Sequence, residues 1–169
     1  KKLFFASERG FIYHYDRVEK KFLKIEHNFS SIKDFIIDSE DRFWTAGLHG
    51  VYCFDRTSGK RIYYDSYVEG GKKIPVSGVN TIMEEGDTIW IGSLNSKVFY
   101  ILKDEMKLRI LNYDFKNAYF IYDIYRTRDG IIYIATTDGL YLYDKKEGSV
   151  FEYKYNKNNP FGLTSLGIT

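Results

Sequence analysis

An all-β fold is predicted for this 169-residue chain by three observations: an aromatic content of 18%, short strand-like runs flanking polar turns, and one pattern repeated at nearly constant spacing. The chain has 16 Tyr and 13 Phe, which favour strands because flat rings pack well on a pleated surface. No segment of useful length carries the 3.6-residue apolar period of a helix. The length suffices for one domain with a real core.

The pattern is plainest at residues 131–144, IIYIATTDGLYLYD. Two runs of β-branched and aromatic residues flank Asp138-Gly139, a pair suited to the positive φ angles of a tight hairpin turn. It recurs as LFFASERGFIYHYD at 3–16, FWTAGLHGVYCFD at 43–55 and IWIGSLNSKVFYI at 89–101. The turn positions Gly10, Gly50, Ser96 and Gly139 are spaced by 40, 46 and 43 residues. Upstream of the last three copies lies another apolar run with an acidic turn: SIKDFIIDSEDR (31–42), VNTIMEEGDT (79–88) and FIYDIYRTRDG (120–130). Downstream lies a fourth short run: KRIYY (60–64), LRILNY (108–113) and VFEYKY (150–155). The unit is four short antiparallel strands, A to D, in about 43 residues, which is the size of a propeller blade.

The predicted architecture is therefore a β-propeller fragment of about four blades, each of four antiparallel strands. Its units fall at 1–30 (lacking strand A), 31–75, 76–117 and 118–156, with a spare strand A at 163–169. The spare strand either pairs with the first unit to close a four-bladed ring, or belongs to an open arc cut from a larger propeller. The open arc is preferred, because the sequence shows no initiator Met and no signal peptide. Such an arc exposes blade edges and faces, which invites self-association or neighbouring blades and domains as partners.

Composition narrows the partners further. A net charge of +2 from 25 basic and 23 acidic residues leaves no footprint for nucleic acid and no membrane-binding face. No run approaches the roughly 18 apolar residues of a membrane span. The single cysteine, Cys53, lies between Tyr52 and Phe54 and reads as a small buried hydrophobe.

At the stretches DRFWTAGLHGVYCFD (41–55), DTIWIGSLNSKVFY (87–100) and RDGIIYIATTDGLYLYD (128–144) the chain resembles the two-component regulator propeller repeat. That family's strand A is followed by Asp, a polar turn and Gly, then apolar-Trp-Ile-Gly-Thr, then Gly-Leu-Tyr-x-Tyr-Asp. GLTSLGIT at 162–169 resembles the start of a further blade. Tyr133 and Phe4 stand in place of the Trp, and Ser96-Lys97 in place of the turn Gly. The resemblance implies a periplasmic sensor region of a bacterial hybrid two-component histidine kinase anchored in the inner membrane. It also implies an oligosaccharide ligand and signal transduction. No kinase, receiver or DNA-binding segment lies within the 169 residues, and the fragment is expected to be no enzyme and to need no cofactor.

Trp44 and Trp90 share one place in strand B and read as blade-to-blade core rather than as sugar platforms. The acidic groups Asp38/Asp41, Glu84/Glu85/Asp87 and Asp129 all fall at the A–B turn. A turn repeated in every copy uses Asp for local hydrogen bonds, whereas a catalytic pair is expected only once. His14, His27 and His49 show no metal-ligand spacing, so no metal site is expected. EGGKK (69–73) lacks the spacing of a phosphate loop, no Gly-x-Ser-x-Gly elbow occurs, and NFS (28–30) reads as a turn. The rim formed by B–C turns and D–A connections has more promise, since function concentrates on loops held by a rigid scaffold. It carries Arg9, His49, Asn95, Lys97 and Asp138 as candidate ligand contacts, along with the long connections 65–77 and 156–162. Such side chains offer directional hydrogen bonds to a hydroxyl-rich ligand. The rival expectations are a propeller lyase or glycan hydrolase, which needs convergent His/Glu or metal groups, and a protein-binding scaffold.

Overall fold

The computed structural model describes residues 3–25, 31–76, 78–159, 162–163 and 165. His27, the NFS turn and most of the spare strand at 163–169 lie outside the described residues. Among the described residues there are seventeen strands and no helix. Blade 1 contains β1 (Leu3–Ala6), β2 (Ile12–Asp16) and β3 (Lys21–Ile25). Blade 2 contains β4 (Ile32–Ile37), β5 (Arg42–Gly47), β6 (Gly50–Asp55) and β7 (Arg61–Tyr64). A separate hairpin follows, formed by β8 (Ser66–Glu69) and β9 (Lys72–Pro75). Blade 3 contains β10 (Val79–Glu85), β11 (Thr88–Ser93), β12 (Val98–Leu102) and β13 (Lys107–Ile110). Blade 4 contains β14 (Ile121–Arg126), β15 (Ile131–Thr136), β16 (Gly139–Asp144) and β17 (Ser149–Tyr153). Within every blade the strands pair antiparallel in chain order, and the predicted propeller fragment is borne out.

The strand period of two assigns alternate residues to opposite faces. In blade 2, Ile36, Trp44, Cys53 and Ile62 are paired across the sheet and share the face turned to blade 3. Ile82, Ile91 and Phe99 of blade 3 answer them in one buried cluster. Blade 3 repeats the relation: Trp90 and Val98 pack with Ile124, Ile132, Ile134 and Tyr141 of blade 4. Ile12 with Phe4 and Phe43 joins blades 1 and 2 in the same way. Trp44 and Trp90 are thus core residues, 0% and 2% exposed. Burying side chains of this size contributes roughly 1.5–3 kcal/mol each.

Strand A carries a β-bulge at the same place in blades 2, 3 and 4, between Ile32/Asp34, Val79/Thr81 and Ile121/Asp123. In blades 2 and 3 the residue after the bulge reaches the next strand A. The Asp34 carboxylate accepts the Ile82 amide at 2.9 Å, and the Thr81 hydroxyl donates to Asp123 at 3.0 Å. Burial pushes the Asp34 carboxyl above its usual range, against the amide hydrogen bonds from Ile82 and Phe35.

The connection 65–77, read from the sequence as a long loop, is largely the β8–β9 hairpin. Its turn, Gly70-Gly71, has φ of 56° and 76°, as a two-residue turn of the mirror type requires. Tyr67 anchors the hairpin edge-on against Phe99, 5.0 Å between ring centroids.

Gly50 opens strand C of blade 2 with a φ of 109°, and a Cβ there would meet the Tyr64 carbonyl oxygen at 2.3 Å. Gly59, at φ 74°, faces open space. Gly50→Ala is therefore expected to lower stability by about 2 kcal/mol or more, and Gly59→Ala by about 1 kcal/mol. Urea unfolding of the two variants measures the difference, and equal losses would contradict the close approach at Gly50.

Candidate functional site

The five rim residues sit one or two to a B–C turn. Arg9 lies between β1 and β2, His49 between β5 and β6, Asn95 and Lys97 between β11 and β12, and Asp138 between β15 and β16. Arg9 and His49 are exposed. Lys97 pairs with Glu69 of the inserted hairpin at 3.4 Å, and Asn95 accepts from the Ser93 hydroxyl. Asp138 pairs with Lys154 at 3.0 Å and accepts from the Tyr141 hydroxyl at 3.2 Å. Hydrogen bonds donated to Asp138 and Glu152 hold the Lys154 ammonium above its usual range. Neighbouring turns of the rim are tied by backbone: Gly78 donates to Leu48 at 2.9 Å and accepts from Leu94 at 2.6 Å. The rim turns of blades 2 and 3 are thus joined, and none of the five candidates lines the larger clefts between or beside the blades.

The acidic A–B turns serve structure, as their repetition implies. In blade 2 the buried Asp38 carboxylate accepts the Trp44 indole N–H at 2.8 Å, the Arg42 amide at 2.9 Å and the Arg42 Nε at 2.7 Å. Burial works to raise the Asp38 carboxyl, but these donors outweigh it and hold it below the usual range. Glu84 bridges blades 2 and 3, taking the Ser39 amide at 2.9 Å and Lys103 Nζ at 2.7 Å. It too is held low, with burial outweighed by Lys103 and Ser39. Burial pushes the Cys53 thiol up to about 12, which leaves it protonated and inert at neutral pH. Among the described residues no three His, Cys, Asp or Glu side chains are placed to hold a metal.

Blade 3 breaks the turn pattern. Seven residues separate Ile36 from its partner Trp44, but only six separate Met83 from Trp90. In the shorter turn Glu85 takes the register position of Asp38, opposite Thr88 in place of Arg42, and pairs with Lys145 rather than with the indole. Trp90 Nε1 is consequently buried without a hydrogen-bond partner among the described residues. Beside it, between blades 3 and 4, opens a cleft of about 760 Å3, within the range of small-molecule sites. Trp90, Tyr100 and Tyr143 form its aromatic wall, and Asp87, Asn112 and Lys145 bring polar groups to it. Lys145 Nζ lies 6.0 Å from the Trp90 ring centroid and pairs with Glu85. No sequence motif marks this cleft. The one available signal was the missing residue in the third A–B turn.

Sheets of this size, joined in chain order and packed face to face, define the chain as an arc of a β-propeller. Residues 115–138 match the model of the two component regulator propeller family, and the resemblance read from the blade motifs is borne out. The solved extracellular domain of BT4673 from B. thetaiotaomicron superposes with a TM-score of 0.80 at 18% identity, covering 99% of this chain and 23% of that one. It is described as part of a one component or hybrid two component system. The extracellular domain of BT3049 from the same organism, from a hybrid two component system, gives a TM-score of 0.72 at 25% identity over 95% of this chain and 22% of that one. The chain thus spans less than a quarter of these domains. No curated protein sequence matches it.

Replacing Asp38 by Ala leaves the buried Arg42 and the Trp44 indole without their acceptor. The loss is expected to be on the order of 3 kcal/mol at pH 7. Because the folded carboxyl is held low, its contribution is complete above the unfolded value of about 3.9 and fades as pH falls through the lower folded value. Chemical unfolding at pH 7 and pH 3 therefore gives a smaller wild-type advantage at pH 3, and an equal or larger one would refute the cap.

Proposed function

We propose that this chain is a ligand-sensing segment of a bacterial two-component regulator. In this reading it lies outside the cytoplasm, in the periplasm, as part of an inner-membrane protein. It recognises an oligosaccharide and has no catalytic role of its own. The observation carrying this is the joint match: a propeller family repeat at 115–138 within an arc that fits extracellular sensor domains over 99% and 95% of its length. The rim of Arg9, His49, Asn95, Lys97 and Asp138 supplies charged and amide groups suited to hydroxyls. Ligand binding across that rim would shift the placement of neighbouring domains, provided the two placements bind the ligand with different affinity.

Calorimetric titration with glycan fragments, followed by product analysis, tests this. Saturable binding without turnover is expected, with affinity lowered about five- to tenfold by His49→Ala or Lys97→Ala, the loss of one hydrogen bond of about 1 kcal/mol. Product formation would instead favour a propeller lyase or hydrolase.

Two apolar faces support a further role in assembly with neighbouring blades. The forward face of blade 4 exposes Tyr125 (66%) and Phe151 (56%), and the rear face of blade 1 exposes Phe22 (58%). In blades 2 and 3 the equivalent faces are covered by the next blade. A further blade of the same protein is the natural cover, and the isolated chain would use a second copy instead. Sedimentation at rising concentration is expected to show self-association. Tyr125→Asp should abolish it with the thermal midpoint unchanged, whereas a monomer at all concentrations would count against exposed faces as docking surfaces.

A further inference from the structure

We infer that the cleft between blades 3 and 4 is a second binding site, separate from the rim, for a neutral hydroxylated ring such as a sugar unit. Three observations converge on it. The first is the missing turn residue, which leaves the Trp90 indole N–H buried without an acceptor. Four described side-chain atoms are orphaned in this way, and Trp90 Nε1 is the one whose residue lines a described cavity. The second is the example of blade 2. There the same strand position directs its indole N–H to the A–B turn, where an oxygen of Asp38 receives it. In blade 3 the A–B turn residues Asp87 and Thr88 line the cleft, as Trp90 itself does, so the turn side of the ring borders the cleft.

The third observation is the chemistry of the wall. Asp87 accepts, Lys145 and Trp90 donate, and Asn112 does both. Lys145 is already paired with Glu85, so Asp87 leaves the lining slightly acidic, which disfavours an anionic ligand. Tyr100 and Tyr143, both half-buried, offer ring surface beside these polar groups. A molecule with ring hydroxyls around a carbon skeleton matches both demands: an oxygen for the indole N–H, further hydroxyls for Asp87 and Asn112, and C–H surface against the tyrosines. Lys145, exposed and lying over the Trp90 ring, is the side chain that must swing aside to admit it. The site is formed by blades 3 and 4 of this chain. It shares with the proposed sensing role the choice of a sugar as ligand, but uses different residues.

The test uses the whole 169-residue chain carrying Trp44→Phe, so that Trp90 alone reports by fluorescence. The probes are neutral trisaccharides of glucose, mannose, galactose and xylose, with trigalacturonate as the charged comparison. A saturable change in Trp90 emission with a neutral probe is expected, with trigalacturonate weaker. Asn112→Ala should lower affinity about tenfold, the effect of one lost hydrogen bond. In the natural-Trp44 chain, followed by calorimetry, Trp90→Phe should lower affinity by a similar factor. It should leave the thermal midpoint unchanged or raised, because it removes an unpaired buried donor. Binding that survives both substitutions but falls with His49→Ala would overturn the cleft and leave the rim reading intact. Absence of binding by every neutral probe would overturn the cleft, since all its walls are present, while signalling by the rim within the whole sensor would still be testable. A fall in midpoint with Trp90→Phe at unchanged affinity would assign Trp90 to packing alone.

Discussion

Every blade can bury its two faces only against its neighbours. A four-stranded sheet of this size has no helix and no second layer of its own to cover it, and the three apolar clusters all lie between blades rather than within them. The forward face, built on Trp44 or Trp90, meets the rear face of Ile and Phe in the blade that follows. Strand A adds a polar tie, where the residue after the bulge in blades 2 and 3 reaches the next blade. The rest of the structure follows from this dependence. Blades 2 and 3, covered on both sides, contain most of the fully buried residues, while blades 1 and 4 each keep one exposed aromatic face.

A repeat held together in this way tolerates change at its turns more readily than on its faces. In blade 2 the A–B turn is a polar cap: Asp38 accepts from Arg42 and from the Trp44 indole in a buried site. In blade 3 the turn is one residue shorter and the cap is absent, yet the sheet face packs as before. The cost is an unsatisfied indole N–H, and the consequence is a cleft between two otherwise well-packed blades. Blade 4 avoids the problem differently, since Tyr133 in the Trp position has no indole N–H to satisfy. Departures from the repeat, rather than the repeat itself, are where individual chemistry can reside. The rim shows the same freedom. Its B–C turns hold one position in the fold but vary from Arg-Gly to His-Gly, Asn-Ser-Lys and Asp-Gly.

Much of the fold was legible in the sequence because it is local. A hairpin is written in adjacent residues: alternating Tyr, Ile and Phe, then Asp-Gly or His-Gly. Four copies in phase made the blade count readable without any long-range information. The acidic residues at the A–B turn were correctly legible as turn chemistry because they recur, and Trp44 and Trp90 as core because they occupy one strand position. The hairpin at 66–75 was missed although its Gly-Gly turn was visible, since its strands are only four residues each and lack the repeat's pattern. The cleft was invisible for a different reason: it depends on what the neighbouring blade places opposite Trp90.

The sequence by itself determined the strand pattern, the length of the unit, the residues on each face and the likeness to the two-component regulator propeller. All of these depend on backbone period and turn preference, which act over a few residues. Tertiary structure alone decided which buried polar atoms find partners. Asp38 and Trp44 are six residues apart and meet because a turn of the right length brings them together. Lys145 and Trp90 are distant in the chain and meet because blade 4 packs on blade 3. Hydrogen-bond satisfaction and cavity volume depend on distances of a few tenths of an ångström between separate elements, and these are fixed only once the blades are docked.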